Sequence, residues 1–397
     1  MLANFFNDER FTRTYNILFF YRWTPAYEKG FQKRVHSDID HIPLRLYDHY
    51  DLYSFADKVR NTYLRKAVKA GINLLLVKYV FLILNTIILY RIVRTRNIDL
   101  VHVNNGGYPG AYSTLAMVMA ARLCGIQRIV YVVNNIAVGY RSPERWLDYL
   151  FDRIVVYFVS VFITGSAYAG RALRAALHIP VERMAAIPNG IAPRIITETR
   201  EQVITRLNIP SNRVILSIIA VLDERKGHIF LLGALSAIKK SHPRLMPFCV
   251  IEGIGLEEEH LKTFVREHDL EGDVMFIQNE PYIFNLINAS DCIILPSIRD
   301  EDFPNTILES MSLGKAVIAS NISGIPEQLD HMRSGILTEP RDIRGLAVAI
   351  QQVCENPGLR ASLGTMAKIK FDEYYTHEKA IKQYCEIYTN LTREASP

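Results

Sequence analysis

The chain has 397 residues, 49% of them hydrophobic and 22% charged, with a formal net charge of +5. This is the composition of a folded globular protein, not of a disordered or collagen-like chain, and the length suits two domains, each with its own core. Five widely spaced cysteines (Cys124, Cys249, Cys292, Cys354, Cys385) argue against a disulfide scaffold and show no metal-ligand spacing.

The charge is unevenly spread. Residues 1–190 carry 24 Lys and Arg against 13 Asp and Glu, whereas residues 191–397 carry 22 against 28. A basic first half points to an anionic partner. Apolar residues sit among the basic ones, which favours a membrane surface or a phosphate-bearing lipid over nucleic acid. The opening residues have no signal-peptide pattern. With the cysteine usage, this leads us to expect a cytoplasmic protein, peripheral on the inner face of the cytoplasmic membrane.

In chain order, residues 15–21 form an apolar, aromatic run that predicts a strand. The run 72–93 is apolar with few interruptions (Asn73, Lys78, Asn85, Thr86, Arg91), and basic residues flank it: Lys58, Arg60, Arg65, Lys66 and Lys69 before, Arg94 and Arg96 after. Its polar residues scatter around a helical wheel, so the helix is either buried or in contact with lipid. A full span is disfavoured, because the run is broken below the usual uncharged length of ~18 residues. A packed core helix and a helix lying in the membrane interface both stay open. Further strands are predicted at 98–103, 128–133 and 160–164. Residues 185–200 hold the turn Ile187-Pro-Asn-Gly-Ile191 and then a polar stretch, where we place the domain boundary. After it, strands at 213–221, 246–251, 273–277, 292–296 and 316–320 alternate with helices. Strands alternating with helices predict an α/β fold of two doubly wound parallel sheets, with ligands at the carboxyl ends of strands. The expected domains are 1–190, 191–375 and a C-terminal helix over 376–397 that packs back on the first domain.

The most informative stretch is Ser297-Ile-Arg-Asp-Glu-Asp-Phe-Pro-Asn-Thr-Ile-Leu-Glu309. A buried-strand pattern precedes it. Pro304 fits the first helical position, and the free N–H groups of the next residues would form an anion site. Glu309, over one turn further in, can offer its carboxylate to a vicinal diol. The whole suits a nucleotide diphosphate carrying a sugar. The same Glu-x7-Glu spacing recurs at Glu259/Glu267, Glu378/Glu386 and Glu386/Glu394, in polar helical stretches, so context and not spacing carries the signal. The Asp-x-Asp strings Asp38-Ile-Asp40 and Asp300-Glu-Asp302 follow no suitable strand and are read as chance.

Several motifs in order, taken together, resemble glycosyltransferase family 4, the retaining sugar transferases of GT-B fold: Ile187-Pro-Asn-Gly-Ile191, Glu224-Arg-Lys-Gly-His228, Gly253-Ile-Gly255, Leu295-Pro-Ser297 with Glu301 to Glu309, and Ser323-Gly-Ile-Pro-Glu327. The resemblance implies two Rossmann-like domains facing a central cleft and transfer of a sugar from a nucleotide-sugar donor to a hydroxyl of a lipid-linked or cell-envelope glycan, such as a polyprenyl-diphosphate-linked acceptor. It implies that Glu301 contacts donor-sugar hydroxyls and Glu309 binds the ribose. Backbone N–H groups around Phe303, Pro304, Asn305 and Thr306 would face the sugar and diphosphate, and Lys226, with Arg225 beside it, would neutralise the diphosphate. No metal is then required. Acceptor-side candidates are Gly106, Gly107, His102 and Asn134. Departures stand at Ala220 and Val221, where the family usually has Gly and Arg, and at Asn134-Asn135, where it often has a histidine. Residues 1–10 resemble the end of the family's first helix, so its first strand and glycine-rich loop are expected to be missing. A non-catalytic relative that binds a nucleotide sugar, or supports a partner enzyme, is the alternative expectation.

Overall fold

The computed structural model describes residues 2–48, 51–52, 58–59, 61–74 and 77–393. The chain divides into two compact units, residues 1–187 with 381–397, and residues 188–380. The helix His377–Arg393 therefore begins in the second unit and ends in the first.

The second unit is built on six parallel strands: β7 (Ile215–Ile219), β8 (Phe248–Glu252), β9 (Val274–Ile277), β10 (Cys292–Leu295), β11 (Ala316–Ser320) and β12 (Ile336–Thr338), in the spatial order β12-β11-β10-β7-β8-β9. β7, β10 and β11 are buried along their whole length. Helices cover both faces, as a parallel sheet of Ile, Leu and Val requires.

The first unit departs from the single sheet expected of it. β1 (Leu18–Arg22) and β2 (Asp40–Leu44) form one parallel pair, and β3 (Val101–Asn105), β4 (Ile129–Val133), β5 (Val161–Thr164) and β6 (Met184–Ala186) form a separate parallel sheet in that order. Aromatic packing joins the two where backbone pairing does not. In the Leu2–Phe6 helix, Phe6 packs on Phe19 of β1 with ring centroids 4.8 Å apart, and Phe5 meets His102 of β3 edge-on at 6.5 Å. β1 begins later than expected because Tyr15 closes the preceding helix, its N–H bonded to the Phe11 carbonyl. β2 carries Pro43, which an edge strand tolerates. β6 and β12 have three residues each, too few to show a period.

The run 72–93 resolves into parts of two helices, Thr62–Leu74 and Val77–Val93; residues 75–76, like Arg60, lie outside the described ones. The Val77–Val93 helix is buried on one face only, although its polar residues scatter around the wheel. Leu82, Asn85, Thr86, Leu89 and Val93 are buried, while Val80, Ile83, Leu84 and Ile87 are exposed. Asn85 is spent inside, exchanging two hydrogen bonds with the Tyr47 main chain. Among the described residues no helix is long and apolar enough to cross a membrane.

A buried charge network fixes this helix to its unit. Asp148 accepts from Lys78 Nζ at 2.9 Å, from the Tyr79 and Tyr112 hydroxyls at 2.8 Å, and from Arg145 Nη1 at 3.2 Å. Arg145 also reaches Asp152 at 2.6 Å, and Asp152 accepts from the Tyr140 and Tyr108 hydroxyls at 2.5 and 3.1 Å. Burial raises the Asp152 pKa, against the pull of Tyr140 and Arg145. Buried charges are tolerated only when partnered in this way. Arg145→Leu takes the shared cation from both carboxylates and is expected to cost about 3–5 kcal/mol in a urea titration; a loss below about 1 kcal/mol would mean that the network contributes little to the fold.

Candidate functional site

The strand order reverses direction between β10 and β7. From β7 the chain moves out through β8 and β9; from β10 it moves the other way through β11 and β12. Loops leaving the carboxyl ends of two such strands diverge and open a crevice, the usual ligand position in this sheet class.

The loop after β7 makes a tight turn. Asp223 accepts from the Lys226 N–H at 3.2 Å and caps the single 3-10 turn Glu224–Lys226. Gly227 follows at φ 71° and leads into the helix His228–Ser241. Here glycine is required twice over, because the backbone is left-handed and a Cβ would lie 2.0 Å from the Pro296 carbonyl oxygen. The loops after β7 and β10 thus touch backbone to backbone, and the Ile298 N–H donates to the Arg225 carbonyl at 2.8 Å.

This contact assembles the charged centre. Glu301 is only 5% exposed. Its Oε1 accepts from Lys226 Nζ at 2.5 Å, Ser297 Oγ at 2.7 Å and Arg225 Nη1 at 3.2 Å. Arg225 Nη1 also donates to the Asp300 carbonyl at 3.0 Å. Two cations share the Glu301 carboxylate, and Asp223 lies 4.0 Å from Arg225 Nε. Beside this cluster starts the helix Asn305–Ser312, with no side-chain cap. Its first N–H groups, at Asn305, Thr306 and Ile307, have no intrahelical acceptors and add the positive end of the helix dipole. Thr306 Oγ1 ties this helix to the end of β7, donating to the Ile219 carbonyl at 3.2 Å.

Glu309, one turn in, is partly buried, and burial raises its pKa while the charge of Arg194 opposes the shift. Pro304 sits one position earlier than expected, at the N-cap and not inside the first turn; its carbonyl accepts from Gln328 Nε2 at 3.1 Å. The Phe303 ring points into the core against Tyr375, so only its main chain is available to a ligand. Asn305 is exposed and accepts from Asn189 Nδ2 at 3.2 Å. Glu301, Lys226, Arg225, Asn305, Thr306 and Glu309 therefore come from two loops and one helix of the same unit.

The acceptor-side candidates lie in the first unit. His102 bonds through Nδ1 to the Tyr388 hydroxyl at 2.5 Å and stacks on Tyr384; burial lowers its pKa to about 4. The ring is thus packed among aromatic neighbours. Gly106 has open space where a Cβ would stand and Gly107 has nearly as much. Gly110 is the constrained one: its φ is 55°, and a Cβ there would lie 2.3 Å from Asn105 Oδ1. Asn134 donates from Nδ2 to the Asn105 carbonyl at 2.8 Å. Sequence reading missed Asn105 itself. Its side chain accepts from the Ala111 N–H and donates to the Pro109 carbonyl, Thr114 and Tyr131, organising the whole loop after β3. Its only sequence signal is an Asn at a strand end, before a Gly-Gly pair.

Comparison with known proteins agrees with this architecture. Residues 61–190 match the family model described as a glycosyl transferase 4-like domain, and residues 199–370 match that of the glycosyl transferases group 1. An uncharacterized glycosyltransferase of Haemophilus influenzae is 28% identical over 174 residues, 44% of this chain and 48% of that one. The O-antigen biosynthesis glycosyltransferase WclY of Escherichia coli is 31% identical over 189 residues, 47% of this chain and 50% of that one. The chain thus spans about half the length of these curated relatives. Among solved structures, a glycosyltransferase from Rickettsia africae superposes with TM-score 0.75 at 19% identity, over 96% of this chain and 91% of that one. HepE of Anabaena, in complex with UDP, superposes with TM-score 0.72 at 18% identity, over 98% and 95%. These likenesses show the fold.

Two outcomes follow from the geometry. The raised Glu309 pKa means that its ionised form costs the fold stability above that pKa, and costs nothing below the ordinary carboxylate range. Glu309→Gln should raise the melting temperature at about pH 7.5, with the gain gone by about pH 4; an unchanged midpoint at both would contradict the desolvated site. Gly227→Ala should separate the two loops and destabilise the unit by about 2 kcal/mol or more, whereas wild-type stability would show that the close approach is not required.

Proposed function

This chain belongs to the group 1 glycosyltransferases, and from that premise we propose that it moves a sugar from a nucleotide-diphosphate donor to a hydroxyl group with retention of configuration. One observation carries the donor assignment: Arg225 and Lys226 converge on a single buried carboxylate next to an uncapped helix N-terminus at the switch point of the second unit. This is a fixed cradle of two cations and free helix N–H groups, and diphosphate is a group that suits it. HepE, of the same fold, has been solved with UDP and with UDP-glucose.

The residues divide the work as follows. Glu309 accepts from the ribose hydroxyls. First-turn N–H groups hold the diphosphate. Glu301 is anchored through Oε1, and among the described residues nothing donates to its Oε2, which is left for a donor-sugar hydroxyl. Lys226 and Arg225 stabilise the negative charge that grows on the leaving phosphate. Their positions are set beforehand, so no reorganisation is needed as the glycosidic bond to phosphate breaks. The leaving phosphate, on the same face as the incoming hydroxyl, takes that hydroxyl's proton as the new bond forms. No protein nucleophile is used.

The acceptor belongs to the first unit, and a lipid-linked or cell-envelope glycan suits it. The exposed row Val80, Ile83, Leu84 and Ile87 on one helix face is followed by Arg91 and Arg94, also exposed. Exposed Trp146, Leu147 and Leu150 are near this helix, because Lys78 bonds Asp148 and Tyr79 stacks on Phe151. An apolar surface with a basic edge and a Trp is the composition of a face that lies on anionic lipid. It is also the kind of surface that would bring an enzyme to an acceptor anchored in a bilayer.

Lys226→Ala should lower donor turnover by about 10²–10³-fold, and Glu309→Ala should weaken UDP binding by about 10–100-fold, measured by nucleotide release and by calorimetry. Wild-type values in both would sink the assignment. Binding that persists with no turnover on any acceptor would favour a nucleotide-sugar binder over an enzyme. Ile83→Ser with Ile87→Ser should abolish co-sedimentation with phosphatidylglycerol vesicles while leaving UDP affinity unchanged; sedimentation equal to wild type would remove the membrane face.

A further inference from the structure

Gln328 bonds the donor loop from inside the core. It ends the short helix Ile325–Gln328 in the segment after β11, and none of it is exposed. Its Nε2 donates to the Pro304 carbonyl at 3.1 Å, while its Oε1 is buried with no hydrogen-bond partner among the described residues. Only the amide nitrogen can face a carbonyl, so the two atoms cannot be exchanged. A buried acceptor left unpaired costs free energy that Leu or Met would avoid at this place. An amide here is thus explained by its donor and not by its acceptor. The same segment holds the donor loop at two more points. The Gly324 N–H donates to the Glu301 carbonyl at 3.1 Å. Tyr375, on whose ring Phe303 packs at 5.5 Å, donates its hydroxyl to the Glu327 carbonyl at 2.8 Å. Residues 301–304 are therefore fastened to residues 324–328 at both ends of their main chain, and through the Phe303 ring between them.

We propose that Gln328 is a positioning residue for donor binding: its bond to the Pro304 carbonyl sets the direction of the Asn305 N–H that meets the diphosphate. The proposal rests on the transferase reading above. The carbonyl of Pro304 and the N–H of Asn305 belong to one peptide group. That group is planar and trans, so its N–H points opposite to its C=O. Holding the carbonyl on Gln328 therefore aims the N–H on the other side. Pro304 stands at the N-cap, so Asn305 is the first helical residue and its N–H has no intrahelical acceptor. A hydrogen bond to the carbonyl also polarises the peptide and strengthens its N–H as a donor. A side chain closed to solvent thus acts on the ligand through one peptide group. Because the amide is neutral, it does so without placing a negative charge near the phosphates.

The test is calorimetric titration of the full chain with UDP, for wild type, Gln328→Met, Gln328→Glu and, as a control on the site itself, Lys226→Ala. Gln328→Met keeps the length and bulk and removes the donor. It should weaken UDP binding about three- to tenfold, with a melting temperature close to wild type, because the unpaired oxygen leaves with the nitrogen. Gln328→Glu can donate to Pro304 only while its carboxyl is protonated, and burial raises the pKa of such a group above the ordinary carboxylate range. Its affinity should match that of wild type at about pH 5 and fall to the Gln328→Met level, relative to wild type, by about pH 8. On the wild-type chain, the Gln328 side-chain amide NMR signals should move when UDP binds, although the ligand cannot touch that side chain. Wild-type affinity in Gln328→Met, with Lys226→Ala weakened, overturns the Gln328 role and leaves the transferase reading standing. An equal loss in Gln328→Glu at both pH values overturns it too, as do Gln328 signals that UDP leaves in place. Failure of the wild-type chain to bind UDP, GDP or ADP overturns both readings.

Discussion

The ion pair between Lys226 and Glu301 holds the rest of the site in place. It joins the loop after β7 to the loop after β10 across the point where the sheet changes direction. The pair is largely shielded, and such a pair holds together only with good geometry and further hydrogen bonds; Ser297 and Arg225 supply those to Glu301. The backbone approach at Gly227 brings the two loops close enough for a lysine to reach. From these constraints follow the orientation of Arg225, the free Oε2 edge of Glu301 and the placement of the Asn305–Ser312 helix beside them. Because an acid already fixes the cations, the site meets its ligand with its charges placed and part of its desolvation cost already met.

The first unit is organised by a different device. Its two parallel sheets do not pair with each other, and aromatic rings of the Leu2–Phe6 helix pack against both. The Asp148–Arg145–Asp152 network then ties the Val77–Val93 helix to the loops after β3 and β4, through Tyr108, Tyr140 and the Val138 carbonyl. A helix with an apolar outer face is thereby anchored from within by charge, which lets that face stay apolar without collapsing into the core.

Much of this was legible in the sequence, for identifiable reasons. Nine strands announced themselves because parallel strands buried on both faces are continuous runs of Ile, Val and Leu, as in Cys292–Leu295 and Ala316–Ser320. Glu301, Glu309 and the Lys226-Gly227 pair stood out by context. What was hidden depends on long-range pairing. The strand Asp40–Leu44 exists only because β1 offers it an edge. The one-sided burial of the Val77–Val93 helix is set by the helix packed on it, since its own residues are apolar around most of the wheel. Asn105 and Asp152 carry no local pattern, because their partners lie as far off as Tyr131 and Tyr108, 26 and 44 residues away. Glu301 was placed at the donor site by its context, but its burial has no local signal, because two of its partners, Lys226 and Arg225, lie 75 and 76 residues away.

The central claim is that the Glu301 carboxylate works through the cations it holds. A double-mutant cycle of Lys226→Met and Glu301→Gln, read as UDP affinity, measures this most directly. If Glu301 positions Lys226, the loss caused by Lys226→Met should largely disappear in the Glu301→Gln background, giving a coupling of about 1 kcal/mol or more. Additive losses would mean that the two residues meet the ligand independently, and the pre-organised cradle would have to be abandoned.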